Sequence, residues 1–371
     1  MNDLATRMNA ALEEYNLDVV VAISMENVYY LTGAWIMTQK DIPDRLALVV
    51  WPRQGEPQLI VCANEASLAQ RDSSIKALHS YVEFQTSPIA LLAEVLRAQG
   101  LDGARIGFER KYLVAEYYDE LQHALPAATW SGADRLLGEV RMIKSEAELA
   151  QLSRAALITD GVIWDAFQMA RPGRSEKEIG DWMQMQMLAR GAYGGVFIVM
   201  GAGDSAGITH PSPRPRALED GDVLRVDFGG IFDGYLADLA RTMVVGHATE
   251  LQRDTYARLW QLQQEAIAAV RPGVRASDVY RLCERRAAEL GLNFSMAHIG
   301  HSLGIGLHEH PMISPRTDTL LAENMAIAIE PSCRNADGSR FHIEDLVIVR
   351  AGGPQIVSRA GHWERLFESG L

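Results

Sequence analysis

The sequence predicts an α/β protein of two domains, the second of them built from an internal repeat. Three observations lead there. Short apolar runs alternate with amphipathic stretches over the first 140 residues. A helix-capping signature then opens a region of different character, and beyond it a set of turn and carboxylate motifs occurs twice in the same order. A chain of 371 residues suits two domains better than one.

In the first region, residues 4–16 have the spacing of an amphipathic helix. Residues 18–23 (Asp-Val-Val-Val-Ala-Ile) read as a buried strand, and further short strands are expected at 46–51 and 58–62. Helices are expected near 64–70, 89–98 and 112–124. The boundary is placed near residue 140, which divides the chain into 1–140 and 141–371. After Arg141-Met-Ile-Lys144, Ser145 and Glu148 form a capping box, and the helix it starts should run to about residue 170. Ser175 and Glu178 repeat the signature.

The repeat runs through the second region. Arg171-Pro172-Gly173 is matched by Arg271-Pro272-Gly273, the latter followed by Ser277 as an expected N-cap. His210-Pro211 is matched by His310-Pro311. Residues 222–229, with Val226-Asp227-Phe-Gly at their end, are matched by residues 324–331, ending in Ile329-Glu330-Pro331. Each half then reads helix, turn, helix, glycine-rich loop with histidine, and a strand ending in a carboxylate. Two such strands meeting at a pseudo-twofold axis would suit a pair of metal ions.

The carboxylates can be placed further. Asp233-Gly234 signals a tight hairpin in which Phe232 faces Tyr235 and Gly229 faces Asp238. Asp227 and Asp238 then share a strand face as diagonal neighbours, about 7–8 Å apart at Cα. The pair reads either as two solvated acids on an exposed face or as two ligands of one site. Leu224, Val226 and Phe228 take the other face, so the aspartate face is expected to be the exposed one. Residues 325–329 form an apolar strand ending at Glu330, and 341–349 read as one strand with Glu344 inside it. A carboxylate among aliphatic neighbours is costly unless it is paired or bound to metal. Residues 297–311 add His298, His301, His308 and His310 among several glycines. Histidine ligates metal and moves protons, and glycine lets backbone approach closely.

Composition narrows the function. A net charge of −13 with no basic patch argues against nucleic acid and anionic membranes. Three scattered cysteines, Cys62, Cys283 and Cys333, argue against a disulfide framework. No signal peptide and no membrane-length apolar run is found, and a cytoplasmic protein is expected.

These motifs together resemble the pita-bread metallohydrolase family, which includes methionine aminopeptidase, prolidase, aminopeptidase P and creatinase. The matching residues are Val226-Asp227-Phe-Gly, Asp233-Gly-Tyr-Leu-Ala-Asp238-Leu-Ala-Arg241-Thr242, Gly300-His301-Ser-Leu-Gly304 with His308-Glu309-His310-Pro311, Ile329-Glu330-Pro331 and Ile343-Glu344-Asp345. Leu17-Asp18-Val-Val-Val and Tyr30-Leu31-Thr32-Gly33 resemble the smaller N-terminal domain of the creatinase and prolidase branch. The resemblance implies a small creatinase-like α/β domain followed by a pita-bread catalytic domain. It implies two divalent ions, Mn²⁺ foremost with Co²⁺, Fe²⁺ or Zn²⁺ as alternatives, held by Asp227, Asp238, His301, Glu330 and Glu344. Asp238 and Glu344 would be shared between the ions, and a bridging hydroxide would attack the substrate carbonyl. Glu330 would move the proton while His210 and His308 bind substrate and oxyanion. His310, His342 and Trp35 are further substrate-contact candidates, and Trp35 with residues 36–45 would close the site of a homodimer partner.

The implied activity is that of an Xaa-Pro dipeptidase or aminopeptidase acting on dipeptides or other small molecules. The alternative is a non-peptide hydrolase or lyase of a small nitrogen compound, like creatinase or ectoine hydrolase. A catalytically dead binding module is the third possibility, and retention of all five ligands counts against it. Two departures bear on this choice. His342 stands where prolidases and aminopeptidases P commonly have arginine, and Ser302 gives Gly-His-Ser, as in creatinase, where Gly-His-Gly is common in the aminopeptidases.

Overall fold

The computed structural model describes residues 2–42 and 44–370 and divides into two compact units, Met1–Arg141 and Met142–Leu371. The first is a six-stranded sheet with helices. Helix α1 (Asn2–Glu14) leads into β1 (Val19–Ala22), α2 (Met25–Thr32), the short α3 (Thr38–Asp41), β2 (Leu48–Pro52) and β3 (Gln58–Cys62). Then come α4 (Ala66–Asp72), β4 (Ala77–Tyr81), α5 (Pro88–Ala98), β5 (Arg105–Phe108), α6 (Ala115–Ala124), β6 (Thr129–Gly132) and α7 (Asp134–Met142). The strand order is β4-β3-β2-β1-β5-β6. β1 is central and buried on both faces: Val20 and Ala22 feed one core, Val19 and Val21 the other. This explains its unbroken apolar run, since a strand covered on both sides has no polar face to alternate with.

The Tyr30–Gly33 segment is the end of a helix. Ser24 caps α2 by accepting from Asn27 N, and Gly33 terminates it at φ 80. Strands β4 to β6 were not expected. They carry polar residues such as His79, Ser80, Arg105 and Ser131 and lack a clean alternation.

The second unit begins with α8 (Glu146–Met169) and α9 (Glu176–Ala189), each opened by its expected capping box. The strands β7 (Phe197–Ala202), β8 (Val223–Phe232) and β9 (Tyr235–Val244) follow, then α10 (Glu250–Ala268) and α11 (Ala276–Glu289). Eight short strands follow among the described residues, the first seven being β10 (Gly300–Ser302), β11 (Glu309–Met312), β12 (Ala326–Ile329), β13 (Ser332–Arg334), β14 (Arg340–His342), β15 (Asp345–Ile348) and β16 (Gln355–Ile356). β17 (Phe367–Glu368) ends the described elements. They form sheets ordered β17-β9-β8-β7 and β11-β10-β12-β15-β16, with β13–β14 as a separate ribbon.

The two halves repeat the same local construction. Gly173 N donates to Leu218 O and Gly273 N to Leu321 O, while Leu218 N and Leu321 N return to Arg174 O and Val274 O. Both glycines have positive φ, which the turn after each proline requires. The expected N-cap at Ser277 does not occur. Arg275 holds that position without a side-chain capping bond, and Ser277 is buried one residue inside α11. Among the described residues no helix is long and apolar enough to cross a membrane.

Candidate metal centre

The β8–β9 hairpin supplies the first two carboxylates. Asp233 at φ 48 and Gly234 at φ 81 close it, and the register pairs Phe232 with Tyr235 and Gly229 with Asp238, as expected. Asp227 lies opposite Ala240, so the two aspartates are diagonal neighbours on one face. That face is not exposed: Asp238 is 6% accessible, and Val226 and Phe228 on the other side are fully buried. The segment 340–344 covers it. Thr242 Oγ1 accepts from His342 N and donates to His342 O, both at 2.9 Å, and Glu344 N donates to Ala240 O at 2.9 Å. Single-strand alternation cannot reveal this cover, because it comes from residues a hundred positions away.

Glycine places the histidine. β10 pairs with β12, Gly300 opposite Ile329, and a Cβ at Gly300 would lie 2.0 Å from Ala328 O. Glu330 N donates to Ile299 O, which fixes the glutamate beside His301. His301 Nδ1 lies 3.2 Å from Ser302 O, so it carries the proton and leaves Nε2 as the lone-pair nitrogen. Nε2 is 3.6 Å from Asp238 Oδ2 and 3.7 Å from Glu330 Oε1. The loop after it is anchored by buried Glu309, which accepts from Lys144 Nζ at 3.0 Å and from Gly306 N at 2.9 Å. The loop returns His308 onto His301, ring centroids 4.1 Å apart.

The single strand expected over 341–349 is two strands. β14 pairs with β13, β15 pairs with β12, and Glu344 falls in the hand-over between them. Arg241, fully buried, spans the break. It donates to Glu344 O and to Asp345 Oδ1 at 2.9 Å and lies 2.6 Å from Asp160 Oδ1. Freed from a ladder, Glu344 turns toward the aspartates. One donor atom each from Asp227, Asp238 and Glu344 falls within 4.8 Å of the others, and the same holds for Asp238, His301 and His308, and for Glu330, His342 and Glu344.

The electrostatics fit a cation centre. Burial, then Asp227 and Glu330, raise the Asp238 carboxyl well above its usual range. Burial, then Asp238 and its neighbours, do the same to Glu344. Glu344 Oε1 is buried and finds no hydrogen-bond partner among the described residues. Burial opposes ionisation of Glu330, yet the adjacent His298 and His342 rings hold its carboxyl below the usual range. Their nitrogens approach Glu330 at 3.3 Å but are misaligned for hydrogen bonds. Burial lowers His301 to about 4, which keeps it neutral and able to ligate. Such a cluster is repulsive by itself, and four carboxylates with one imidazole balance two divalent ions. The donor set therefore fits the cations that the sequence implies.

A cavity of about 490 Å³ opens onto these groups. Asp227, Asp238, His301, Glu330, Glu344, His210, His308 and His342 all line it. His310 does not: it lies in β11, beyond the loop that carries His308, and its Nε2 is 2.9 Å from Thr319 Oγ1. Trp35 lies in the N-terminal unit, its ring edge-on to Tyr29 at 5.2 Å. Several contributors were not singled out from sequence. His298, three residues before His301, was legible as part of the same histidine segment. Arg225 and Arg334 gave no signal of their own, and Lys144 and Thr242 stood inside quoted segments without a role, since arginine, lysine and threonine are ordinary surface residues until the fold places them.

Comparison with known proteins accords with this geometry. Residues 150–351 match metallopeptidase family M24, and residues 5–143 match the creatinase/prolidase N-terminal domain. A probable dipeptidase PepE of Mycobacterium bovis is 32% identical over 363 residues, covering 95% of this chain and 93% of that protein. A putative dipeptidase YkvY of Bacillus subtilis is 28% identical, covering 94% and 95%. Among solved structures, dipeptidase PepE from Mycobacterium ulcerans superposes with a TM-score of 0.87 at 27% identity, covering 99% and 97%. An Xaa-Pro dipeptidase from Bacillus anthracis, at 22% identity and 99% coverage of both chains, shares the fold with a TM-score of 0.86. The chain belongs to metallopeptidase family M24, with a creatinase/prolidase N-terminal domain ahead of a catalytic domain that makes it a metal-dependent hydrolase.

Proposed function

We propose that this protein is a dipeptidase of the Xaa-Pro type working with two divalent ions, Mn²⁺ foremost. The observation that carries the reading is the convergence of Asp227, Asp238, His301, Glu330 and Glu344 on one cavity, with a buried Glu344 oxygen that lacks a partner. Asp227 would hold one ion and His301 with Glu330 the other, with Asp238 and Glu344 shared. When bound, the ions supply Lewis-acid polarisation of the scissile carbonyl and a water of lowered pKa.

The chain's own groups do the rest. Glu330, ionised between His298 and His342, takes a proton from the attacking water and returns it to the leaving nitrogen. His308, stacked on His301 with an exposed side chain, and His210, exposed at the cavity edge, donate to the developing oxyanion and to the substrate. His342 touches Glu330 and faces the cavity, so it sets substrate choice. It also supports the second reading, a compact non-peptide nitrogen compound, because it is smaller than arginine and not permanently charged.

The proposal includes a cytoplasmic homodimer. Cys62, Cys283 and Cys333 are free and buried, which suits a reducing compartment, and Trp35 with residues 36–45 would meet the partner. The test is a screen of Xaa-Pro dipeptides against small amidines with Mn²⁺ or Co²⁺ supplied. Dipeptide cleavage lost on chelation and restored by metal is expected. Turnover that survives exhaustive chelation, or cleavage of amidines alone, refutes the dipeptidase.

A further inference from the structure

Part of the cavity wall is cationic in a way the hydrolytic machinery does not use. Arg225 precedes Asp227 by two residues on β8, and Arg334 and Arg340 are direct cross-strand partners on the β13–β14 ribbon. All three line the cavity. None has a carboxylate within salt-bridge distance among the described residues. In the same unit Arg214, Arg216, Arg253, Arg286, Arg350 and Arg359 each have one.

The cavity arginines are held by neutral acceptors. Arg225 Nη2 donates to the Ile208 and Thr209 carbonyls, both at 2.7 Å. Arg334 Nη1 donates to Gly207 O at 2.5 Å, and Arg340 Nε and Nη2 both donate to Ser332 Oγ, at 3.0 and 2.7 Å. Arg225 is 1% accessible, and its Nε is buried with no hydrogen-bond partner among the described residues. Like charges directly opposite on a ribbon destabilise it, and a buried guanidinium without an anion is costly. The acids whose charge reaches Arg225 and Arg340, Asp227 and Glu330, are candidate ligands of the cations, so their charge is already committed. A site that keeps three forks free of protein carboxylates is arranged for an anion that arrives with the substrate.

We propose that Arg225, Arg334 and Arg340 form an anion subsite of this cavity, and that the preferred substrate is a dipeptide carrying a second carboxylate besides its terminal one. A neutral dipeptide brings one carboxylate, which one or two guanidinium forks satisfy. An acidic residue ahead of the proline brings two, and matches three cations more closely in charge and donor count. The substrate assignment rests on the dipeptidase reading, whereas the subsite does not.

Two measurements separate them. Calorimetry on the Mn²⁺-loaded protein should give glutarate at least about tenfold tighter binding than butyrate, the monocarboxylate serving as control for direct metal contact. The preference should collapse in Arg334→Gln and in Arg340→Gln. Both changes lie on the partly exposed ribbon and keep hydrogen-bonding capacity, and metal content reports whether the site is intact. Equal affinity for the two acids, or a preference untouched by both substitutions, overturns the subsite. In the second measurement, kcat/KM for Glu-Pro over Gln-Pro should favour the acid by about tenfold. Dipeptides cleaved with no acidic preference overturn the substrate assignment. A glutarate preference in a protein that cleaves no dipeptide refutes the dipeptidase reading and leaves the subsite standing.

Discussion

At the scale of single residues, Asp238 and Glu344 are buried acids whose neighbours are other acids. Each carboxyl is raised from its ordinary value, 3.8 or 4.5, chiefly by burial. A group that binds its proton more tightly when folded contributes stability that is fully present below the unfolded pKa. That contribution is lost as pH rises through the folded pKa. Metal-free protein should therefore lose stability relative to metal-free Glu344→Gln as pH rises above about 4. Urea unfolding of both proteins across pH measures the difference, and saturating Mn²⁺ should reverse it by stabilising only the wild type. For catalysis, Asp238→Ala and Glu344→Ala should each abolish turnover, read against metal content. His342 makes a narrower case. Its contact with Glu330 predicts that His342→Arg keeps full metal occupancy while changing the ratio of kcat/KM between substrates. Equal response of all substrates, or loss of metal, would assign His342 to holding the centre together.

At the scale of elements, the site depends on a hand-over between sheets. The residues 340–345 leave the β13–β14 ribbon and join β12 through Arg241, whose two buried carboxylate partners, Asp160 and Asp345, hold it from behind. Asp160 also accepts from Ala360 N, Gly361 N and Trp363 Nε1. Arg241→Met leaves Asp160 buried without its cation, while Asp345 keeps Arg359, and should cost about 3–5 kcal/mol in urea unfolding. Because Arg241 also holds the Glu344 carbonyl, metal affinity should fall in the same variant. Helix α10 is simpler. Thr249 and Gln252 form a reciprocal cap far from the site, so Thr249→Ala should cost about 1 kcal/mol with kcat unchanged.

At the scale of the whole molecule, the carboxylate cluster makes the catalytic domain a metal-linked fold. Ions that bind only the folded state stabilise it by mass action. Metal analysis after loading should approach two ions per chain, and Tm should rise with Mn²⁺ concentration. One ion per chain would withdraw the shared roles of Asp238 and Glu344. Sedimentation should report a dimer, and a concentration-independent monomer would remove the partner role from Trp35 and residues 36–45.

Legibility followed the range of each interaction. The caps at Ser145 and Ser175, the Asp233-Gly234 turn and the diagonal placement of Asp227 and Asp238 were readable because each is local: a hydroxyl three residues from its N–H, a two-residue turn, an alternation of period two. The family motifs carried the five candidate ligands for the same reason, each lying in a short segment of distinctive residues. Strands β4 to β6 and the cap of α11 were not readable, since weak patterns there yield to tertiary packing. Only the tertiary structure decided that the aspartate face is covered, that Glu344 sits at a break and not inside a strand, and that His310 turns toward Thr319 while His308 lines the cavity. It also decided that Arg225, Arg334 and Arg340 line one cavity with no carboxylate within salt-bridge distance of them among the described residues. Local chemistry selects turns, caps and strand faces, but which faces meet, and which charges go unanswered, depends on segments that sequence separates by a hundred residues and folding brings within hydrogen-bond reach.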